Sequence, residues 1–304
     1  MNLRESNNAL QVIGLLKSKE VQYGLTSENV PTITINLVIT SEVDDKIHEN
    51  RVRLWTKETS KLYKSYKTVA DEYKTIDEHG KENADLVKVT GSLEMNEYVS
   101  KTDGQLKTVN NLKGLFVNRV ENKETVQEVG AVVECVVLGY ADEISKEGVP
   151  TGRKKVNLFT VGYNNTIHEL QNVFVPADVA QAFTRLYQPN STGKLFIKVN
   201  NYVEVEENKE VVQQPLGFGV QLDNMPNNNV VKNYVNELTI VGGQQPETVN
   251  KYSMEEIAEM RKLRELARNE KINTPQTPPT QPSGFGSGFG DPVGFENPFD
   301  NPFA

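Results

Sequence analysis

Cysteine, histidine and long apolar runs are all scarce in this chain of 304 residues. One cysteine cannot build a disulfide framework or a cysteine-ligated zinc site, and we expect Cys135, in the apolar run AVVECVVLG, to be a buried thiol. The three histidines, His48, His79 and His168, lie far apart in polar contexts. No stretch approaches the roughly 18 apolar residues of a membrane span, and no signal sequence follows Met1. We therefore expect a cytoplasmic protein with no membrane partner.

Sequence signals of catalysis are also lacking. The chain has no G-x-x-x-x-G-K-[ST] loop, no H-E-x-x-H motif and no cluster of cysteine and histidine. The stretch GFGSGFG has neither a strand before it nor a helix after it, so it does not match a dinucleotide-binding loop. We expect no enzyme, no cofactor and no metal, although a metal-dependent nuclease that uses clustered acids stays open as a third possibility.

The charge is unevenly distributed. A net charge of −8 by itself disfavours a nucleic-acid partner, because phosphate binding needs lysine and arginine. Residues 1–123 carry 18 basic and 18 acidic residues, whereas residues 124–246 carry 9 and 14. Within the neutral first part, residues 51–67 contain one acid, Glu58, and six cations: Arg51, Arg53, Lys57, Lys61, Lys64 and Lys67. The sequence thus predicts one basic patch on an acidic protein.

The C-terminal part divides into a helix and a tail. Residues 247–272 include YSMEEIAEMRKLRELARNEK, in which Ser253 and Glu256 have the spacing of a capping box and Ile257, Met260 and Leu263 recur every three residues. This helix packs either on its own domain or on a partner. Residues 273–304 are rich in proline, glycine, serine and threonine and poor in aliphatic residues, which predicts a disordered tail.

Most of the remaining chain has the pattern of β-strands. VPTITINLVIT alternates apolar and polar residues, and RVRLWTK alternates in the same way before the helical segment KLYKSYKTVADEYKTI. LVKVTGSLEMNEYV and LKGLFVNRV form a hairpin through the pair Asp103 and Gly104. Three strands, a helix and a hairpin are the element order of a five-stranded Greek-key barrel of the OB type.

The same element order recurs in the second part of the chain. Residues 124–246 contain three strand patterns, a helix at PADVAQAFTRLY and two more strands. The segments 35–37 and 156–158 share the form aliphatic-Asn-Leu, and MNEYV at 95–99 is similar to VNNYV at 199–203. We predict an all-β fold with minor helices: two tandem OB barrels (residues 1–123 and 124–246), a C-terminal helix and a disordered tail.

Aromatic and cationic residues alternate with the predicted core positions of several strands. On a strand, residues two apart project from one face at about 6 to 7 Å intervals, so cations could meet phosphates while a ring stacks on a base. The alternative is an ordinary charged, solvated face. The candidate nucleic-acid-binding residues are Arg51, Arg53, Trp55, Lys57, Tyr63, Tyr66, Tyr98, Lys155, Phe159, Phe196, Lys198 and Tyr202.

Two polar segments are long enough to form loops that close over a ligand. These are residues 40–50 and residues 206–229. They could equally be insertions without a binding role.

The first copy resembles the bacterial and phage single-stranded DNA-binding proteins. The resemblance rests on the opening ALQVIGLLKS, on RVRLWTK leading into a helix, and on LVKVTGSLEMNEYV, which contains V-x-V-x-G-x-L before a hairpin. It covers residues 8–120 by pattern and residues 129–245 by element order alone. It implies an OB-fold protein that coats unpaired DNA during replication, recombination or repair, here of phage character, as a monomer or homodimer.

The tail is similar to the tails of that family. Members end in a disordered linker and an acidic Pro-Phe tip that binds replication and recombination proteins, and the corresponding residues here are Phe299, Asp300, Pro302 and Phe303. This chain differs by having Ala304 after the last phenylalanine, which displaces the terminal carboxylate. The sequence therefore predicts a single-stranded DNA-binding protein with a partner-binding tail. The alternative is an OB-fold interaction or assembly module that binds no nucleic acid.

Overall fold

The computed structural model describes residues 2–100, 102–207 and 230–273, and these form two β-barrels and a C-terminal helix. The first barrel contains β1 (Asn8–Leu25), β2 (Pro31–Val43), β3 (Lys46–Lys57), α1 (Leu62–Glu72), α2 (Ile76–His79), β4 (Leu86–Val99) and β5 (Leu106–Arg119). The second contains β6 (Glu128–Ile144), β7 (Pro150–Val161), β8 (Ile167–Val175), α3 (Ala177–Leu186), β9 (Ser191–Glu207) and β10 (Val230–Gly243). The last helix is α4 (Met254–Asn273). No helix in these ranges is long and apolar enough to cross a membrane.

Strand pairing gives both barrels the OB topology. In the first, β1 pairs with β2 and β4, β2 pairs with β3, and β4 pairs with β5, all antiparallel. The parallel pairing of β3 with β5 closes this barrel, and the parallel pairing of β8 with β10 closes the second in the same way. The prediction of two tandem OB barrels is confirmed.

The two barrels share one sheet. β1 and β6 pair antiparallel from Asn8 opposite Val133 to Ile13 opposite Glu128, so the sheet continues from one barrel into the other. Alternation along β2 places Ile33, Ile35 and other inward residues in a common core, where both are fully buried. Burial of this apolar surface is the main force that holds the strands in register.

The strand pairing also shows which residues of the two barrels are equivalent, and this alignment differs from the one predicted from the sequence. Val52 pairs with Leu112 across the first closure and Val173 pairs with Leu238 across the second, which makes Val52 and Val173 equivalent.

Strand neighbours extend this equivalence. Because Leu37 lies opposite Val52 and Val156 lies opposite Val173, Leu37 and not Ile35 corresponds to Val156.

The match between β4 and β9 is displaced by two residues as well. Leu93 pairs with Leu112 and Val199 pairs with Leu238, so the residue equivalent to Tyr202 is Asn96, not Tyr98. A shift of two residues returns each side chain to the same face, which is why the inward and outward assignments survived this error.

The segment 40–50 is not a loop. β2 continues to Val43 and β3 begins at Lys46, which leaves a tight turn in which Asp44 and Asp45 have positive φ of 51° and 59°. Aspartate tolerates this left-handed conformation, which suits a two-residue hairpin turn. The prediction of a closing loop at this position is wrong, and the segment 206–229 is almost wholly outside the described residues.

Gly91, in the V-x-V-x-G-x-L stretch of β4, lies where the backbone of β5 comes very close. A Cβ atom at this position would lie 1.9 Å from the carbonyl oxygen of Lys113. The register of β4 and β5 shifts between Thr90 and Gly91, so the glycine is needed for a bulge.

The helix α4 packs on the chain's own barrels. Its capping box is present: the Ser253 amide donates to Glu256 Oε2 at 2.7 Å, and the Glu256 amide donates to Ser253 Oγ at 3.2 Å. Ile257 and Met260 lie in a second apolar cluster against the outer side of β7. Of the two possibilities for this helix, docking on its own chain is the one observed.

A buried ion pair joins α4 to both barrels. The Arg264 guanidinium donates from Nη1 to Glu97 Oε2 of β4 at 3.1 Å, and from Nε to Glu169 Oε2 of β8 at 3.2 Å. The side chain of Glu97 is 1% exposed and that of Arg264 is 8% exposed. One residue of α4 thus contacts a carboxylate from each barrel.

Candidate nucleic-acid interface

The outer side of β3 carries the predicted basic and aromatic row. Burial alternates strictly from Lys46 to Lys57, with Val52 and Leu54 in the core and Arg51, Arg53 and Trp55 on the solvent side. Trp55 is 52% exposed. Because the inward residues are fixed by the core, the outward residues are presented on a rigid strand.

The neighbouring strands supply small and polar side chains. Trp55 lies beside Thr34 of β2, and Arg53 lies beside Asn36, whose amide donates to Glu20 of β1 at 3.4 Å. Within the described ranges, Arg53 and Lys57 form no ion pair. The outer side of β3 therefore carries an exposed indole between cations, and polar side chains of β2 lie beside it. We name this outer row the β3 face and define it as Arg51, Arg53, Trp55 and Lys57.

The predicted exposure is wrong for Tyr66 and Phe159. Tyr66 is 2% exposed, and its hydroxyl donates to the carbonyl oxygen of Leu115 at 3.0 Å, so the inner side of α1 places it in the first barrel. Burial raises the pKa of Tyr66 to about 12. Phe159 does point away from the barrel core, but α4 and Tyr252 cover it and leave it 5% exposed.

Lys198 and Tyr202 lie at the contact between the barrels and not on an open wall. Lys46 of β3 holds its ammonium 4.0 Å from the centre of the Tyr202 ring and donates to the Tyr202 hydroxyl at 2.8 Å. Lys198 pairs with Asp44 of the β2–β3 turn. His48 packs on Tyr202 with 5.0 Å between ring centres, and burial, followed by the charge of Lys198, lowers the pKa of this histidine. These side chains link the barrels.

Phe196 lies on a different surface from Trp55. It is 38% exposed in a groove of about 750 Å³ on the sheet that joins the barrels, together with Phe116 of β5. Phe116 was not predicted to face outward, because a bulge in β5 at Leu115 turns two successive residues, Leu115 and Phe116, to the outer side. Strict alternation does not predict two successive outward residues.

The second barrel presents Lys155 beside a ring that was also missed. Lys155 is exposed and lies opposite Phe174 of β8. The alternation of Val173, Phe174 and Val175 predicts an outward ring, and this signal was available in the sequence. Phe174 occupies the position equivalent to Arg53, one residue after Val173.

The other candidates are half-buried or lie outside the described residues. Tyr63 packs partly against the core from α1, and Tyr98 is half-buried on β4. The predicted partner-binding residues of the tail lie outside the described part of the chain: Phe299, Asp300, Pro302 and Phe303.

Several solved structures are similar to this chain. The wild-type single-stranded DNA binding protein from Thermus aquaticus is 13% identical, with 82% of this chain and 98% of that chain covered and a TM-score of 0.49. The mitochondrial single-stranded DNA binding protein Rim1 from S. cerevisiae is 12% identical, with 40% and 99% covered and a TM-score of 0.27. The small single-stranded DNA-binding protein from Streptomyces coelicolor is 16% identical, with 38% and 96% covered and a TM-score of 0.26.

The comparison with curated proteins finds no match. The comparison with protein families gives a match over nearly all the described residues. The YorF family matches residues 6–275, from before the first strand to two residues past the end of α4. The chain belongs to the YorF family.

Proposed function

We propose that this protein binds single-stranded DNA, without strong sequence preference, through the β3 face. The observation that supports this most directly is the exposed Trp55 between Arg53 and Lys57 on one side of a strand whose other side is buried. Packing of the barrel core does not explain this row, because the row lies on the outer side of the strand. An ordinary solvated surface would explain the cations but not the half-exposed indole between them.

The spacing suits an unpaired strand. Successive outward residues of β3 are about 6 to 7 Å apart, which is comparable to the distance between neighbouring nucleotides in an extended strand. Trp55 would stack on a base, and Arg53 and Lys57 would contact the flanking phosphates. A duplex keeps its bases stacked on one another, so it offers no free base face to the indole.

Fluorescence tests the stacking directly. Trp55 is the single tryptophan of the chain, so its emission reports on this site alone. We expect poly-dT to quench it. Because stacking on an aromatic side chain contributes roughly 1 to 3 kcal/mol per base, Trp55→Ala should weaken binding to a single-stranded oligonucleotide by about 5- to 150-fold in an electrophoretic titration.

A matched aromatic control is Tyr163→Ala, which removes a 75% exposed ring between β7 and β8. This variant should bind like the wild type. An unquenched Trp55, or equal affinities of the wild type and Trp55→Ala, would exclude the β3 face as the stacking surface.

The salt dependence tests the phosphate contact. Removing one phosphate-binding cation lowers the slope of log affinity against log salt by about 0.7 for a single strand. We expect this change for Arg53→Ala. Lys262→Ala, at an exposed position of α4, is the control and should leave the slope unchanged.

A second candidate is an interaction or assembly module that binds no nucleic acid. The second barrel favours it, because Arg153 and Lys154 there are ion-paired with Glu143, Glu237 and Asp142. Absence of single-stranded DNA binding at low salt would support this alternative.

The remaining parts of the proposal concern the biological process, the compartment and the partner proteins. We propose a role in phage DNA replication or recombination, in the cytoplasm and without catalysis, with the tail recruiting partner proteins. Deletion of residues 291–304 should abolish capture of such partners and leave the Trp55 quench in place. Degradation of the oligonucleotide on addition of Mg²⁺ would instead indicate a nuclease.

A further inference from the structure

The ring of Phe174 is covered by an ion-paired arginine. The Arg153 guanidinium carbon lies 4.4 Å from the centre of the Phe174 ring. Arg153 Nη2 donates to Glu237 Oε2 at 2.7 Å, and its Nε lies 3.4 Å from Glu143 Oε2. We call these three residues, Arg153, Glu143 and Glu237, the Arg153 cap.

Both carboxylates of the cap are themselves held in place. Glu143 Oε2 also accepts a hydrogen bond from Thr151 Oγ1 at 2.7 Å, and Glu237 Oε1 accepts one from Thr239 Oγ1 at 3.2 Å. The side chains of Arg153, Glu143 and Glu237 are between 20% and 31% exposed, so solvent and solutes reach all three. The cap is an ordered surface arrangement and not part of the core.

Phe174 occupies a position that corresponds to the β3 face. It is equivalent to Arg53, and its cross-strand neighbour Lys155 is equivalent to Asn36. The second barrel therefore has a ring and an exposed cation side by side on the wall that carries Trp55 and its cations in the first.

The charges around the ring are balanced, unlike those of the β3 face. Arg153 faces two carboxylates and Lys154 is bridged to Asp142. A phosphate approaching Phe174 finds Arg153 and Lys154 already paired with carboxylates, and a base finds one face of the ring occupied by the Arg153 guanidinium.

We propose that Phe174 and Lys155 form a second single-stranded nucleic-acid subsite, which the Arg153 cap keeps closed. This inference rests on the proposed function of the β3 face. When Glu143 and Glu237 no longer hold it, Arg153 is free to leave the ring and bind a phosphate, because a guanidinium pairs with phosphate as well as with carboxylate. Arg153 then no longer covers the Phe174 ring and instead binds a phosphate. The stretch of single-stranded DNA in contact with the protein extends from the first barrel onto the second.

The decisive variant is Glu143→Gln with Glu237→Gln, which keeps the shapes and removes both charges. We measure quenching of Trp55 by oligo-dT of increasing length. On oligonucleotides too short to leave the first barrel, the variant should match the wild type. On long ones it should bind at least about fivefold more tightly, and its footprint should grow by several nucleotides, within the 4 to 16 that one OB fold covers.

Two controls separate this mechanism from a general change of charge. Asp142→Asn with Glu147→Gln removes the same number of negative charges, both from the β6–β7 hairpin that carries Glu143, but leaves the cap intact, so its gain should be clearly smaller. Adding Phe174→Leu to the decisive variant keeps an apolar side chain without a ring and should abolish the gain. In the wild type, Phe174→Leu should change nothing.

The outcomes are distinguishable. If Trp55 is not quenched by any oligonucleotide, the proposed function fails and this inference fails with it. If Trp55 is quenched but the decisive variant shows no gain, or both charge variants gain equally, only the closed subsite is refuted. A wild type that is weakened by Phe174→Leu would show that the subsite is already open.

Discussion

Replacing Glu97 by glutamine should destabilise the protein strongly, because this carboxylate is buried against the guanidinium of Arg264. Glu97 also accepts a hydrogen bond from Thr108 Oγ1 at 3.0 Å and lies 3.7 Å from the ammonium of Lys271. Glutamine retains one carbonyl acceptor but carries no charge. Arg264, 8% exposed, would then keep one carboxylate, Glu169, at the edge of the site.

The size of the effect follows from the burial. Removing one partner of a buried ion pair costs about 3 to 5 kcal/mol, because the remaining charge stays out of water without compensation. Since Glu169 still neutralises part of the Arg264 charge, we expect about 3 kcal/mol for Glu97→Gln. In a protein of this size that is a loss of about 6 to 12 °C in Tm.

Thermal unfolding followed by circular dichroism measures this effect. The control is Glu265→Gln, an exposed acid on the same helix, which should change the free energy of unfolding by less than about 0.5 kcal/mol. The double replacement Glu97→Leu and Arg264→Met should recover most of the loss, because it leaves no unpaired charge in the buried site, and Glu169 and Lys271, which each lose a partner, are 35% and 46% exposed. Equal stabilities of Glu97→Gln and Glu265→Gln would refute the reasoning.

Three further predictions concern stability and reactivity. Gly91→Ala should cost at least about 2 kcal/mol in the free energy of unfolding by denaturant, because the new methyl group meets a backbone carbonyl, whereas Gly139→Ala, with nothing within 4 Å of the new atom, should have little effect. Burial, the largest single effect, raises the pKa of Glu97, but the hydrogen bonds and charge of Arg264, together with the hydrogen bond from Thr108 and the charge of Lys271, hold the pKa below its ordinary value of 4.5. The stabilisation is therefore complete above pH 4.5 and is lost as the pH falls through the folded-state pKa, so the difference in Tm between wild type and Glu97→Gln should shrink below that pH. Burial raises the pKa of the Cys135 thiol, and a thiol reagent should modify it only after unfolding, with fast labelling of the native protein contradicting this.

Local sequence patterns were sufficient to predict the strands and the outward residues of the β3 face. Alternation along β2 and β3 places every second residue in a core, and the period of two is a property of the extended chain itself. The capping box before α4 is likewise a local hydrogen-bonding arrangement, and both of its bonds are present. The tandem OB topology followed from the order of such elements.

Phe159, Tyr202 and Lys198 were assigned to the correct face of their strands but to the wrong surroundings. Phe159 is covered by a helix about 100 residues later in the sequence. Lys198 meets the β2–β3 turn of the other barrel, and Tyr202 meets Lys46 at the start of β3. Periodicity says which way a side chain points and nothing about what the rest of the chain packs against it.

The sequence by itself determined the elements, the inward residues and the row of outward residues on β3, because these depend on the geometry of neighbouring residues along the chain. The tertiary structure decided which outward residues stay in solvent and how Arg153 covers Phe174. It also decided the alignment of the two barrels, which differs by two residues from the alignment predicted from the sequence. These depend on contacts between segments far apart in the sequence, and such contacts exist only after the barrels have packed together.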